Sequence, residues 1–191
     1  DLHSTSRRQR QMCIRDRFAG TGVVGRYFKT KVKKIIANDI ENYSYVLNRN
    51  YIGNHLPFEY QDKLCELNKI SGKEGFIYRN YCLGGGSGRQ YFSENNGQKI
   101  DAIRLKIKEW YDNKNISDDE YFFFLASLLE SADKVANTAS VYGAFLKHLK
   151  KTAQKSLELN PAQFQINDHN HEVYNEAVSY THLTLPTTSR V

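Results

Sequence analysis

Cysteine, long apolar runs and a strong excess of one charge are all scarce in this chain, and each shortage excludes something. There are three cysteines in 191 residues. Cys13 falls in the terminal stretch set aside below, and Cys65 and Cys82 have no metal-ligand spacing and no reason to be paired, which fits a reducing cytoplasm. The six histidines are scattered. His169 and His171 lie in a polar stretch beside Asp168 and Glu172, a poor metal site, so no metal is expected. No apolar run is long enough to span a bilayer, and the Arg-rich start lacks the apolar stretch of a signal peptide. A cytoplasmic protein with no membrane partner is expected. The 40% hydrophobic content with 13% aromatics suits a packed core rather than disorder. The length suits one domain, or one domain plus part of another.

The two ends read differently from the rest. The stretches Gln9–Arg17 and Val178–Val191 look like translated sequencing-adapter DNA, and neither carries a helical or strand period. Residues 1–17 and 178–191 are therefore set aside from fold reasoning. The competing reading is a genuine basic arm and a Thr-rich tail. Asp16 falls within the first of these stretches and is attributed to chance. Residues 1–17 carry net +3 and residues 178–191 net +1, leaving +2 of the chain's +6 for everything between. Global charge is thus poor evidence for a nucleic-acid partner.

What is present begins at Phe18-Ala19-Gly20-Thr21-Gly22, followed by Ile35-Ile36-Ala37-Asn38-Asp39. This reads as a glycine turn, a helix, a strand and a carboxylate at the strand's end. A Rossmann-like domain holds an adenosine-bearing cofactor in that way: backbone approaches the ligand at the glycines, and the carboxylate accepts from the ribose hydroxyls. Gly20, Gly22 and Gly25 also spell G-x-G-x-x-G, a pattern weak on its own. The bland alternative is a glycine-rich turn between ordinary elements.

Phe18–Gly25, Ile35–Asp39 and Tyr43–Arg49, joined by Asn80-Tyr81-Cys82, Gly84–Arg89 and Asp133–Gly143, resemble the D12 class of N6-adenine-specific DNA methyltransferases, the Dam-like enzymes. The resemblance covers about residues 18–176. It implies an α/β fold, a partial Rossmann-like S-adenosylmethionine-dependent methyltransferase domain with a mainly helical target-recognition insertion. It implies S-adenosyl-L-methionine as cofactor, with Gly20, Gly22 and Asp39 binding it and Phe18 packing near the methionine or adenosine. Double-stranded DNA is the implied partner, a cognate restriction endonuclease in the same system is a further one, and a monomer is expected.

Two parts are expected between the ends. Residues 18–56 should hold a helix over Val23–Thr30, a strand over Val32–Asn38 and a helix over Ile40–Tyr51, the strand before Phe18 being missing. Residues 57–176 read as mainly helical. Helices are expected over Phe58–Ile70, over Gln98–Tyr111 with Ile100, Ile103, Ile107 and Trp110 on one face, and after the Ser117/Glu120 capping box through Phe122, Leu125, Leu128 and Leu129. A last helix is expected over Ala139–Gln154, with Tyr142, Phe145, Leu146 and Leu149 inward. Asn95-Asn96-Gly97 reads as a turn.

The Gly84–Arg89 stretch lacks the Lys-Ser/Thr of a Walker phosphate loop. A DNA-contacting loop is one reading, with Arg89 on phosphates or a guanine edge and Tyr91 or Phe92 stacking. A flexible connector with its aromatics in the core is the other. Lys147, Lys150, Lys151 and Lys155 are either a solvated face or a DNA-backbone contact.

The family's catalytic tetrad, Asp/Asn/Ser-Pro-Pro-aromatic, stacks the flipped adenine and accepts from its N6. The only prolines are Pro57, Pro161 and Pro186, none adjacent to another, so no catalytic residue is assigned and the chain on its own is expected to be inactive. Two other classes stay open: a nicotinamide-dependent oxidoreductase fragment, and a non-enzymatic helical DNA-binding module.

Overall fold

The computed structural model describes residues 12–139 and 144–178. It divides into two units, one formed by the described residues through Leu56 and from Phe164 on, the other by Pro57–Gln163. Residues 164–176, read from sequence with the helical region, thus belong with the first.

The first unit is built on a parallel three-stranded sheet in the order β1 (Cys13–Asp16), β2 (Lys34–Asn38), β3 (Glu172–Tyr174). Isoleucines at positions 35 and 36 suit the central strand, where branched side chains pack on a pleated surface. Ile35 and Ala37 are fully buried on one face and form a core with Val32 and Ile52, against which Ile14, Ala19, Phe28 and Val173 pack. Helix α1 (Val23–Phe28) and helix α2 (Asn42–Asn48) follow the first two strands, and α2 runs into a π-helical turn at Arg49–Gly53. Gly25 allows α1 to press on that turn, since a Cβ there would fall 2.3 Å from Ile52 Cδ1.

β1 corrects the sequence reading, which had no element before Phe18. Four residues give too short a pattern for periodicity to reveal. Once β2 supplies the ladder, Ile14 aligns with Ile35 and turns inward while Cys13 and Arg15 stay exposed. β3 was likewise unforeseen, and side chains fix it. Ile35 N donates to His171 Nδ1 at 3.1 Å, so the ring proton sits on Nε2, 3.1 Å from the Lys29 carbonyl. Asn38 donates to Glu176 O at 2.9 Å and accepts from Glu176 N at 3.0 Å.

The second unit holds α3 (Gln61–Lys69), α4 (Phe76–Tyr81), α5 (Glu94–Asp112) and α6 (Asp118–Val135). α5 buries Ile100, Ile103, Ile107 and Trp110 as its period requires. It starts earlier than expected, because Ser93 caps it by accepting from Asn96 N. Gly97 is therefore helical, not a turn residue. Its missing side chain admits Cys82, whose Sγ lies 2.2 Å from where a Cβ would stand. The Ser117/Glu120 capping box forms as read and opens α6. Of the apolar residues read along α6, Leu128 is buried and Leu129 is 38% exposed, while Phe123 and Phe124 are buried as well.

Among the described residues of the stretch 139–154, the expected helix does not form. Residues 140–143, including Tyr142, lie outside the described residues, and 144–155 form turns and irregular chain. Onward to Ala162, side chains of the preceding elements take up the backbone groups. Asn96 accepts from Leu157 N at 2.8 Å, and Asn68 accepts from Leu159 N at 2.8 Å and donates to Leu159 O at 3.0 Å. Ser131 and Ser127 accept from Asn160 N and Ala162 N. With its peptide groups satisfied this way, the segment does not need a helix to bury Ala153, Leu157, Leu159 and Ala162.

Candidate cofactor site and nucleic-acid loops

The glycine turn lies where β1 hands over to α1. Gly20 and Gly22 have φ of +52° and +75°, the left-handed region that a side chain disfavours. Gly22 N donates to Ala19 O at 2.8 Å, closing the turn, and Ala19 N donates to Asn38 O at 3.0 Å, tying it to the end of β2. Asp16 Oδ1 accepts from Phe18 N at 3.3 Å. This carboxylate, set aside in the sequence as coincidence, thus supports the entry to the turn.

Asp39 comes next to the turn from the other strand. Its Oδ2 accepts from Gly20 N at 2.8 Å and its Oδ1 from Glu41 N at 3.0 Å. Burial pushes the Asp39 carboxyl up, but the N–H groups of Glu41 and Gly20, with the Ser44 hydroxyl, outweigh it and hold it below its ordinary value. The carboxylate is therefore ionised at neutral pH. It is half-exposed, and with about four lone-pair sites it can accept further hydrogen bonds from a vicinal diol.

Ser44 and Asn48, one turn apart on α2, grip the same loop. Both donate to the Gly20 carbonyl, Asn48 Nδ2 at 3.0 Å. Asn48 Oδ1 is buried with no hydrogen-bond partner among the described residues, and a Cβ on Gly22 would stand 2.5 Å from it. Neither residue was singled out as a site residue from sequence; the signal available was their i, i+4 spacing on the helix after Asp39. Phe18, 76% exposed, stands at the start of the turn with its ring free to pack on a ligand. The structure thus brings Gly20, Gly22 and Asp39 together, with Phe18 at the margin. A pocket of about 150 Å³ opens near the C-terminal ends of the strands, lined by Asp16, Asn38, Tyr174 and Glu176 among others.

The second set of candidates lies in the helical unit. The Gly84–Arg89 loop is closed at its base, where Tyr91 N and Phe92 N both donate to Tyr81 O. Gly86 and Gly88 have positive φ, and Gly85 passes so close to Tyr78 O that a Cβ would fall 2.2 Å away. Arg89 is exposed at the end of this loop, its guanidinium carbon 5.9 Å from the Tyr81 ring centre. Tyr91 is half-buried, edge-on to Tyr81 at 5.7 Å and to Phe145 at 5.3 Å. Lys147 and Lys151 are exposed on the irregular segment. Lys150 is more committed: its Nζ donates to Thr138 O at 2.9 Å. Burial pushes the nearby Cys82 thiol up to about 11, with the Asp101 and Glu94 charges adding to it, so it is no nucleophile. Among the described residues no group of His, Cys, Asp and Glu could hold a metal ion, and no helix is long and apolar enough to cross a membrane.

A family model for the D12 class N6 adenine-specific DNA methyltransferases matches residues 3–183. The chain belongs to this family. It is 61% identical over 160 residues to the Type II methyltransferase M.NlaIII of Neisseria lactamica, covering 83% of this chain and 48% of that protein. It is 39% identical over 169 residues to the Type II methyltransferase M.CviAII of Paramecium bursaria Chlorella virus 1, covering 84% and 49%. With the Type II methyltransferase M.FokI of Planomicrobium okeanokoites the identity is 33% over 177 residues, covering 84% and 26%. The D12 chain thus spans about half the length, or less, of these relatives. No solved structure matches it.

Proposed function

We propose that this chain carries the cofactor turn and the DNA-recognition region of a D12 methyltransferase that moves a methyl group from S-adenosyl-L-methionine to N6 of adenine in double-stranded DNA. The observation that carries the reading is the clasp of Asp39 onto Gly20 at the end of a parallel strand, in a chain of this family. In this reading the sheet unit is part of a Rossmann-like domain and the helical unit a target-recognition insertion. Asp39 accepts from the ribose hydroxyls, Gly20 and Gly22 let the cofactor approach the backbone, and Phe18 packs on it. Ser44, Asn48 and Asp16 hold the turn.

Bound S-adenosylmethionine would supply a methyl group activated on its sulfonium, and Gly20, Gly22 and Asp39 would hold it. This chain's part is to fix the cofactor in place, since positioning supplies much of the rate in such transfers. Without the Pro-Pro-aromatic tetrad among its 191 residues, it is expected to transfer no methyl by itself.

On the DNA side, Arg89, Lys147 and Lys151 are the proposed contacts, while Tyr91 and Lys150 stiffen the loops that carry them. A cognate restriction endonuclease, a cytoplasmic site of action and a monomeric state complete the proposal. Calorimetry on the 191-residue chain tests it. S-adenosylmethionine should bind and NAD should not. Binding of NAD in place of S-adenosylmethionine, or of neither, would overturn the assignment of Gly20, Gly22 and Asp39 to the cofactor.

A further inference from the structure

We propose that Asn137 is a positioning residue that fixes the Gly84–Arg89 loop and the 144–151 segment side by side, so that Arg89 and the lysines meet one DNA duplex together. The inference rests on the reading above that these loops face DNA.

Apart from a single 3-10 turn at Leu83–Gly85 and one bridge between Thr138 and Phe145, the two loops are irregular, and no helix or sheet ladder joins one to the other. Asn137 does. It is fully buried, just past the end of α6. Its backbone N donates to Tyr91 O at 2.7 Å and its carbonyl accepts from Leu146 N at 3.0 Å. Its side-chain Nδ2 donates to Gln90 O at 2.9 Å and to Leu146 O at 2.8 Å, and its Oδ1 accepts from Lys150 N at 3.0 Å. Both donors and the acceptor of the amide are thus used, two toward the lysine segment and one toward the glycine loop. No other side chain of this size offers donors and acceptor in that arrangement. The edge-on series Tyr81, Tyr91, Phe145 backs the same junction. At the loop tip Ser87 Oγ donates to Asn80 O at 3.1 Å and accepts from Arg89 N at 3.3 Å, and the returning chain at Gln90 and Tyr91 is anchored on Asn137.

Asn137→Asp keeps the size but replaces Nδ2, which donates to both the Gln90 and Leu146 carbonyls, with one carboxylate oxygen that can donate to neither. The probe is a fluorescein-labelled duplex pool with randomised central positions, titrated by anisotropy against the 191-residue chain and its variants. Arg89→Ala and Lys151→Ala should each weaken binding and flatten its salt dependence by about one unit of slope or less. Asn137→Asp should weaken binding by about tenfold or more. It should also make a further Arg89→Ala or Lys151→Ala nearly silent, an uncoupling that a general loss of stability would not produce. In parallel, hydrogen exchange on the unmodified chain should show residues 83–90 and 144–151 protected at the same DNA concentration. Protection of one loop only, or an Asn137→Asp chain that binds and couples like the parent, overturns the proposal and leaves the DNA reading standing. If neither loop is protected and Arg89→Ala and Lys151→Ala bind as the parent does, both fall. If Asn137→Asp loses its helical circular dichroism, the exchange data on the unmodified chain decide.

Discussion

Gly20 and Asp39, nineteen positions apart, are joined by a 2.8 Å hydrogen bond from the backbone N–H of the first to Oδ2 of the second. The bond does two things. It stiffens a turn whose glycines have little intrinsic preference for one conformation, and it lowers the pKa of the carboxyl against the opposing effect of burial. Asp39→Ala should weaken S-adenosylmethionine binding by roughly tenfold or more, the usual consequence of losing a charge-assisted hydrogen bond. Asp39→Asn, which retains an acceptor but not the charge, should fall between the two. Equal affinity of all three chains in calorimetry would take Asp39 out of the site.

The two turn glycines should not be equivalent. At Gly20 a Cβ would meet nothing within 4 Å, so Gly20→Ala should cost only the left-handed strain, about 1–2 kcal/mol. At Gly22 the same strain is joined by a collision with Asn48 Oδ1, 2.5 Å from the new Cβ. Forced overlap of this kind adds about 1–3 kcal/mol. Urea midpoints should therefore rank the parent above Gly20→Ala and Gly20→Ala above Gly22→Ala. Adding Asn48→Ser to Gly22→Ala should recover part of the loss, and a simple sum of the two single effects would show that Asn48 does not press on this turn.

Much of the geometry of this turn was legible in the sequence because its constraints are local. Glycines at left-handed positions and an acid just past a run of branched residues leave a signature within a few positions. The isoleucine face of α5 and the Ser117 capping box were legible for the same reason. What was missed depends on distant partners. β1 has a single inward apolar residue, Ile14, and is a strand only because β2 offers it a ladder. The stretch after Ala139 has lysines and apolar residues at helical spacing, yet Asn96 donates to Ala153 O and Asn137 takes up Leu146 O and Lys150 N, while Asn68, Asn96, Ser127 and Ser131 hold the backbone just beyond it at 157–162. Nothing in residues 144–162 by themselves announces those partners.

The Ser117/Glu120 box gives a quantitative check on the helical unit. Glu120 N donates to Ser117 Oγ at 3.3 Å and Ser117 N to Glu120 Oε2 at 2.9 Å, while Glu120 Oε1 also accepts from Lys63 Nζ at 2.8 Å. Ser117→Ala should lower stability by about 1 kcal/mol. Ser117→Asp, which keeps the cap, should cost little. Thermal midpoints followed by far-ultraviolet circular dichroism would show this order, and its absence would mean that α6 begins elsewhere.

His171 predicts a pH dependence. Burial, helped by the nearby charges of Lys29, His169 and His55, holds its imidazole below the ordinary value near 6.5, against the contrary pull of the Lys29 carbonyl. The unfolded chain takes up its proton as pH falls through about 6.5, and the folded ring resists. Its contribution to stability is therefore complete above that pH and declines below it. His171→Gln should be less stable than the parent at pH 7.5, and the gap should narrow toward pH 5. A gap that widens on acidification would mean that the ring is protonated in the fold and that Ile35 N does not donate to it.

The strand before the glycine turn yields the last expectation. Cys13–Asp16 lie within the stretch that reads as adapter-derived, yet they pair with Lys34–Ala37 along the length of β1 and place Ile14 against the core of the sheet unit. If that stretch were inert, removing residues 1–17 would change stability by no more than about 0.5 kcal/mol, as expected for positions away from packed features. The pairing argues for more. Loss of the strand leaves the open edge of β2 without its ladder partner, uncovers Ile14's contacts and removes the Asp16 carboxylate that accepts from Phe18 N. A chain starting at Phe18 should therefore show faster amide exchange across Lys34–Asn38 and weaker S-adenosylmethionine binding than one starting at Met12. Arg15→Pro, which removes a donor from the middle of β1, should do the same without shortening the chain. Identical exchange at β2 in all three would return residues 12–17 to the status of an appendage.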